Sequence, residues 1–80
     1  AVELHLRGEY EQAEVRLRAT LAMAPDLPQA HHHLAVVLEA QARTVEAIRH
    51  LEHALDLDPE LPGAVERLAG YRADARARRA

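Results

Sequence analysis

Residues 13–59 read AEVRLRATLAMAPDLPQAHHHLAVVLEAQARTVEAIRHLEHALDLDP and present one pattern twice. Pro25 returns as Pro59, 34 residues further along the chain. A fixed period between about 20 and 50 residues is typical of stacked repeats, in which each unit covers the apolar face of the next. The apolar positions return at the same offset: Ala13 as Ala47, Leu17 as Leu51, Leu21 as Leu55, Ala30 as Ala64 and Leu34 as Leu68.

The composition favours helices over sheet. The chain has 80 residues, enough for one small domain, and 49% of them are hydrophobic. The aromatic residues are Tyr10 and Tyr71, and alanine and leucine supply most of the apolar content. Ala and Leu are among the strongest helix formers, and alanine lets helix axes approach closely. We therefore expect an all-α fold.

The charge argues against two classes of partner. The formal net charge is −3, from 13 acidic and 10 basic residues, and every basic residue is arginine. Because the charges nearly balance, we expect no nucleic-acid partner and no membrane partner. The sequence also contains no apolar run of the roughly 18 residues that a transmembrane helix needs. The absence of cysteine excludes disulfides and thiolate metal sites. The arginine usage suggests a GC-rich bacterial genome, and we expect a cytoplasmic location by default.

Prolines and turn residues predict five helices joined by short turns, which makes successive helices antiparallel neighbours. Gly8 is expected to end a first helix at residues 1–7, because glycine commonly follows a helix C-terminus. Pro28 and Pro62 suit first helical positions, and Thr44 has the side chain of an N-cap residue. The later helices are predicted at residues 10–24, 28–41, 45–57 and 62–78.

These features resemble the tetratricopeptide repeat family. The resemblance is carried by the 34-residue period, the run Gly8-x-Tyr10-x-x-Ala13 and the closing prolines. Two positions depart from the family's motif: Ala42 stands where the motif has a glycine, and His31 stands where it has an aromatic residue. The resemblance implies a right-handed superhelix (α-α solenoid) of antiparallel helix pairs. It divides a single domain of residues 1–80 into a partial first repeat (1–25), a complete repeat (26–59) and a capping helix (60–80).

The resemblance also implies a function. Arrays of this kind usually bind peptides or partner proteins in a concave groove and perform no chemistry. We therefore expect a non-catalytic protein-protein interaction module without a cofactor. The alternative is an accessory or oligomerisation segment of a larger bacterial enzyme, such as a glycosyl- or sulfo-transferase. The chain opens partway through a repeat and without an initiating Met, so we expect it to be part of a longer protein.

The groove is predicted on the third and fifth helices. A helical wheel places the core stripe of the third helix at Leu34 and Leu38, and the opposite face matches the groove-lining positions of the family. Such a groove is mildly acidic and favours a basic or helical segment over a C-terminal carboxylate. An ordinary solvated helix face is the alternative interpretation. The predicted groove residues are Gln29, His32, Val36, Glu39, Gly63, Glu66 and Gly70.

The two ends of the array differ. At the offset of 34, Leu38 becomes Arg72, and Arg76 and Arg79 follow at near-helical spacing. A terminal repeat needs a polar outer face, so this pattern predicts a capping helix. The opposite end is apolar, which makes self-association a further possibility. Its residues are Ala1, Leu4, Leu17 and Leu21.

Two groups of histidines could indicate a metal site, but we predict none. The consecutive histidines at 31–33 point about 100° apart on a helix and do not converge on one ion. Glu46, His50 and His53 have a spacing that could hold zinc or nickel, but a helical ion pair of Glu46 with His50 explains it more simply. The chain also lacks serine, cysteine and a glycine-rich phosphate loop, so no catalytic constellation is predicted.

Overall fold

The computed structural model describes residues 2–79, and the side chains of residues 8–78. This part of the chain contains no strand and has four helices: α1 (Val2–Met23), α2 (Pro28–Ala40), α3 (Thr44–Leu57) and α4 (Ala64–Arg79). Each helix packs against the next in the chain. This is the neighbour-to-neighbour packing expected of a repeat array. None of these helices is both long enough and apolar enough to cross a bilayer.

The predicted helix break at Gly8 is wrong, and with it the number of five helices. α1 runs without interruption from Val2 to Met23, and Gly8 is not in the left-handed conformation that ends many helices. Glycine also occupies a helix interior at a cost of about 0.5–1 kcal/mol. The residues that follow, including Glu11 and Gln12, are good helix formers and continue the helix.

α2 begins at Pro28, as predicted, and ends in a Schellman motif. The Ala42 N–H donates to Glu39 O and the Arg43 N–H donates to Leu38 O, both at 2.9 Å. These are the two hydrogen bonds that define the motif, and they require a left-handed residue after the helix end. That residue is Ala42, with φ of 63°. Alanine therefore adopts here a conformation that glycine adopts at lower cost.

Two predicted helix starts need correction. Thr44 is the first residue of α3, and Arg43 occupies the N-cap position without a side-chain capping bond. The Thr44 hydroxyl donates instead to the Glu39 side chain. α4 begins at Ala64, two residues after Pro62. Gly63 between them has φ of 76°, which no residue of a right-handed helix adopts. Its carbonyl instead accepts the Arg67 N–H at 3.1 Å in the first turn of α4.

The core confirms the apolar stripe that the repeat predicted. Leu34, Leu38 and Leu51 are fully buried and form its centre. Tyr71 was not among the predicted core residues, yet it is only 8% exposed. Arg72 is exposed on α4, which agrees with a polar outer face. The buried residues packed around the three leucines are Ala35, Ala47, Ala54, Leu61, Ala64, Leu68 and Tyr71.

A charged network fastens α1 to the start of α3. The Glu14 carboxylate accepts hydrogen bonds from Arg18 at 2.9 Å, from Arg43 at 2.9 and 3.0 Å, and from Gln41 at 3.0 Å. Arg43 also donates two hydrogen bonds to Glu46, at 3.0 and 2.9 Å. The hydrogen bond from Gln41, and then those from Arg18 and Arg43, lower the pKa of Glu14. Glu14 is thus held in its charged form.

Candidate binding groove

A shallow cleft of about 510 Å³, wide open to solvent, lies along α4. Its floor includes two glycines that lack the side chains to fill it. A Cβ built on Gly63 or Gly70 would meet no atom within 4 Å, so open space lies above both backbones. The cleft combines this open floor with charged side chains of both signs. Its lining residues are Gly63, Glu66, Arg67, Gly70, Tyr71 and Asp74.

Arg67 connects this cleft to α2. Its Nε–H donates to Nε2 of His32 at 3.1 Å. His32 must accept this bond with an unprotonated Nε2, so its neutral ring carries the proton on Nδ1. Burial lowers the pKa of His32, and the positive charge of Arg67 and the neighbouring His33 lower it further. His32 is therefore a neutral hydrogen-bonding group on the α2 side, and Arg67 carries the positive charge.

The Glu39 carboxyl, near the C-terminal end of α2, lies beside the Asp74 carboxyl of α4. Burial raises the pKa of Glu39, and the neighbouring Asp74 carboxyl on α4 raises it further. The Thr44 hydroxyl, which donates to Glu39 at 2.6 Å, and the charge of Arg78 oppose this rise. Arg78 itself donates to Thr44 Oγ1 and, at 3.3 Å, to Ala42 O. This end of the surface therefore favours a positively charged group.

A family model supplies the remaining observation. The model of the tetratricopeptide repeat matches residues 4–69, which is most of the chain. The chain belongs to the tetratricopeptide repeat family. Repeats of this family generally mediate protein–protein interactions and are generally not catalytic. No curated protein matches the chain.

The tetratricopeptide groove residues predicted from the sequence fall into three groups. Gly63, Glu66 and Gly70 share the α4 cleft. His32 and Glu39 border it from α2 through Arg67 and Asp74. The other two residues do not line the cleft: Gln29 is exposed in the first turn of α2, and Val36 is half-buried between His32 and Glu39.

Sequence reasoning missed three residues of this surface: Arg67, Tyr71 and Asp74. The repeat contained a signal for the last two, because the offset of 34 relates them to Val37 and Ala40 of α2. Ala40 lies on the face opposite the core stripe of α2, so its equivalent Asp74 belonged on the groove side. Tyr71 was harder to place, because it is buried in the core and also lines the cleft.

The residues that the sequence offered as possible metal ligands make other contacts in this tetratricopeptide domain. Across the part of the chain with described side chains, no three His, Cys, Asp or Glu residues are arranged to hold a metal ion. Glu46 pairs with Arg43 at 2.9 Å and lies 3.5 Å from Arg18. His50 faces His31 of α2. Of the three consecutive histidines, His31 is buried and His33 is exposed, and the His32 and His33 rings stack with their centroids 6.1 Å apart.

Proposed function

We propose that this chain is a non-catalytic interaction module that binds a peptide or a partner helix along α2 and α4. The observation that carries the proposal is the α4 cleft of about 510 Å³, which Arg67 joins to His32 of α2. The family usually presents the first helix of each repeat to its ligand, and α2 and α4 are those helices here. In this proposal the two helices line the concave side of a right-handed superhelix.

The chemistry of the surface favours a partner with basic side chains. Glu39, Glu66 and Asp74 supply three carboxyl groups, which outnumber the two positive charges of Arg67 and Arg78. Complementary charge of this kind steers association and selects partners. Gly70 lies inside α4, where glycine costs about 0.5–1 kcal/mol relative to alanine. No internal contact requires a glycine there, and the open space would admit a partner backbone.

The test starts from a random-sequence peptide display library selected on the immobilised chain, followed by titration of the selected peptides. We expect the selected peptides to be rich in Arg and Lys. Glu66→Arg should weaken binding about fivefold or more, because an exposed ion pair is worth up to about 1 kcal/mol and reversal adds repulsion.

Two further variants make this test specific to the cleft. Gly70→Leu fills the cleft floor and should weaken binding by about tenfold or more, since a clash is an effective means of rejecting a ligand. Leucine is the better helix former, so this loss would not come from unfolding. Asp56→Arg reverses an exposed charge on α3, outside the cleft, and should leave affinity unchanged. Affinities that are the same for all three variants and the parent would refute the groove.

A second candidate is self-association through α1. Leu17 and Leu21, predicted to be uncovered, are instead partly buried against the core, and Ala1 and the Leu4 side chain lie outside the described residues. Val15 and Met23 are exposed by 68% and 90%, on a face that also carries Ala19 and Ala22. Exposed apolar faces of this kind often mark an interface. Sedimentation should detect a dimer that Val15→Lys with Met23→Lys dissociates, and a parent that stays monomeric at high concentration would refute it.

A further inference from the structure

Three histidines from two helices meet beside the turn that precedes α2. His31 is 8% exposed, and its Nε2 lies 2.9 Å from Pro25 O. Its Nδ1 lies 3.2 Å from Nδ1 of His50 on α3. The ring of His53, one turn further along α3, has its centroid 4.3 Å from that of His31. We refer to His31, His50 and His53 as the histidine cluster.

The contacts of His31 determine where the protons are. A carbonyl oxygen has no hydrogen to give, so Nε2 of His31 must donate to Pro25 O. The neutral ring of His31 then has a bare Nδ1, and His50 must donate to it from its own Nδ1. One proton therefore lies between the two facing nitrogens. If both rings become imidazolium ions, both Nδ1 atoms carry hydrogen, and two like charges face each other without a hydrogen bond.

The surroundings do not compensate for a second charge. The charged and titratable groups that act on His50 are Arg18 from α1, His31 from α2, and Glu46 and His53 from α3. Burial lowers the pKa of His50, and His31, Arg18 and His53 lower it further. Glu46 acts in the opposite direction, but its carboxylate is already paired with Arg43 and lies 3.5 Å from Arg18.

We propose that the histidine cluster is an acid-sensitive latch, which joins the turn before α2 and the first turns of α2 to α3 and opens when both facing histidines are protonated. The sign follows from linkage. The folded protein binds a proton at His50 less readily than the unfolded chain does, so the unfolded state carries more protons once the pH falls below about 6.5. The contribution of the histidine cluster to the free energy of unfolding is therefore fully present above about pH 6.5 and is lost as the pH falls below it.

The first test compares urea unfolding of the full 80-residue chain from about pH 7.5 to about pH 5.5, the range in which histidine titrates. His50→Asn places a permanent N–H donor near the position of Nδ1 and removes the titration. The folding equilibrium constant of the parent should fall more steeply than that of His50→Asn, by up to about tenfold per pH unit for one proton. His33→Asn, the same change at an exposed histidine outside the cluster, should keep the steep slope of the parent.

The second test needs no variant and decides the matter if His50→Asn does not fold. In an NMR titration of the parent chain, the imidazole signals of His50 should change at a lower pH than the value of about 6.5 typical of a free histidine side chain. Equal stability slopes for the parent and His50→Asn, or a His50 midpoint at or above the ordinary value, would overturn the latch.

Discussion

Replacing Ala42 by glycine should stabilise the protein. Ala42 holds φ of 63°, where a residue with a Cβ is disfavoured by about 1–2 kcal/mol. The Schellman hydrogen bonds to Glu39 O and Leu38 O keep it in this conformation. The Ala42 side chain is exposed, so its removal costs no core packing. Glycine loses more conformational freedom on folding, which offsets about 0.5–1 kcal/mol. The expected net gain in the free energy of unfolding is about 0.5–1 kcal/mol.

Urea unfolding followed by circular dichroism measures this gain. Ala42→Gly should raise the urea midpoint without changing the slope of the transition, because the surface exposed on unfolding is the same. The matched control is Ala69→Gly, at an exposed position inside α4 with right-handed backbone. That variant should lose up to about 1 kcal/mol. If Ala42→Gly were as destabilising as Ala69→Gly, the strain assigned to the end of α2 would not exist.

Other perturbations test the core, the charged network and the turn before α4. Leu51→Ala should lower the free energy of unfolding by about 2–5 kcal/mol, because the side chain is fully buried; an unchanged thermal melt would contradict the core. Glu14→Gln should cost about 1–2 kcal/mol at neutral pH through its weakened bonds to Arg43 and Arg18. Because the folded pKa of Glu14 is lowered, this difference should be full above the ordinary carboxyl pKa and should shrink as pH falls below it; a pH-independent difference in urea midpoint would contradict it. Gly63→Ala should cost about 1 kcal/mol at φ of 76°, and an unchanged urea midpoint would contradict the strain.

The 34-residue repeat predicted the helix bounds and core positions that recur at its period. It failed where the backbone conformation of a single residue decides whether a helix continues or ends. α2 and α3 lie within one residue of their predicted bounds, and the leucines at the offset of 34 form the core. Gly8 and Gly63 were the failures. Glycine permits both a helical and a left-handed backbone, so its identity alone does not say which it adopts. Gly8 continues a helix that it was expected to end, and Gly63 ends a turn at the position where its equivalent, Gln29, is helical.

The His31–His50 contact and the proximity of Glu39 to Asp74 involve residues whose type changes at the offset of 34. At the offset of 34, His31 corresponds to Val65 and His50 corresponds to Arg16. A comparison of repeats therefore contains no signal for the His31–His50 contact, which depends on how two helices pack. The same holds for Glu39 and Asp74, whose proximity needs the arrangement of α2 and α4. The division of the chain into one partial repeat, one complete repeat and a cap stays a prediction.

The proposed latch and the proposed groove should contribute separately to the pH dependence of partner binding, although both involve α2. Acid should weaken binding of a basic partner in two ways. Because the pKa of Glu39 is raised, its carboxylate loses its charge in weaker acid than an ordinary carboxyl does, which removes an attraction without unfolding the helix. The latch would instead loosen the first turns of α2, including His32. His50→Asn should abolish the second effect and leave the first, so the acid dependence that persists in this variant measures the carboxylates of the groove.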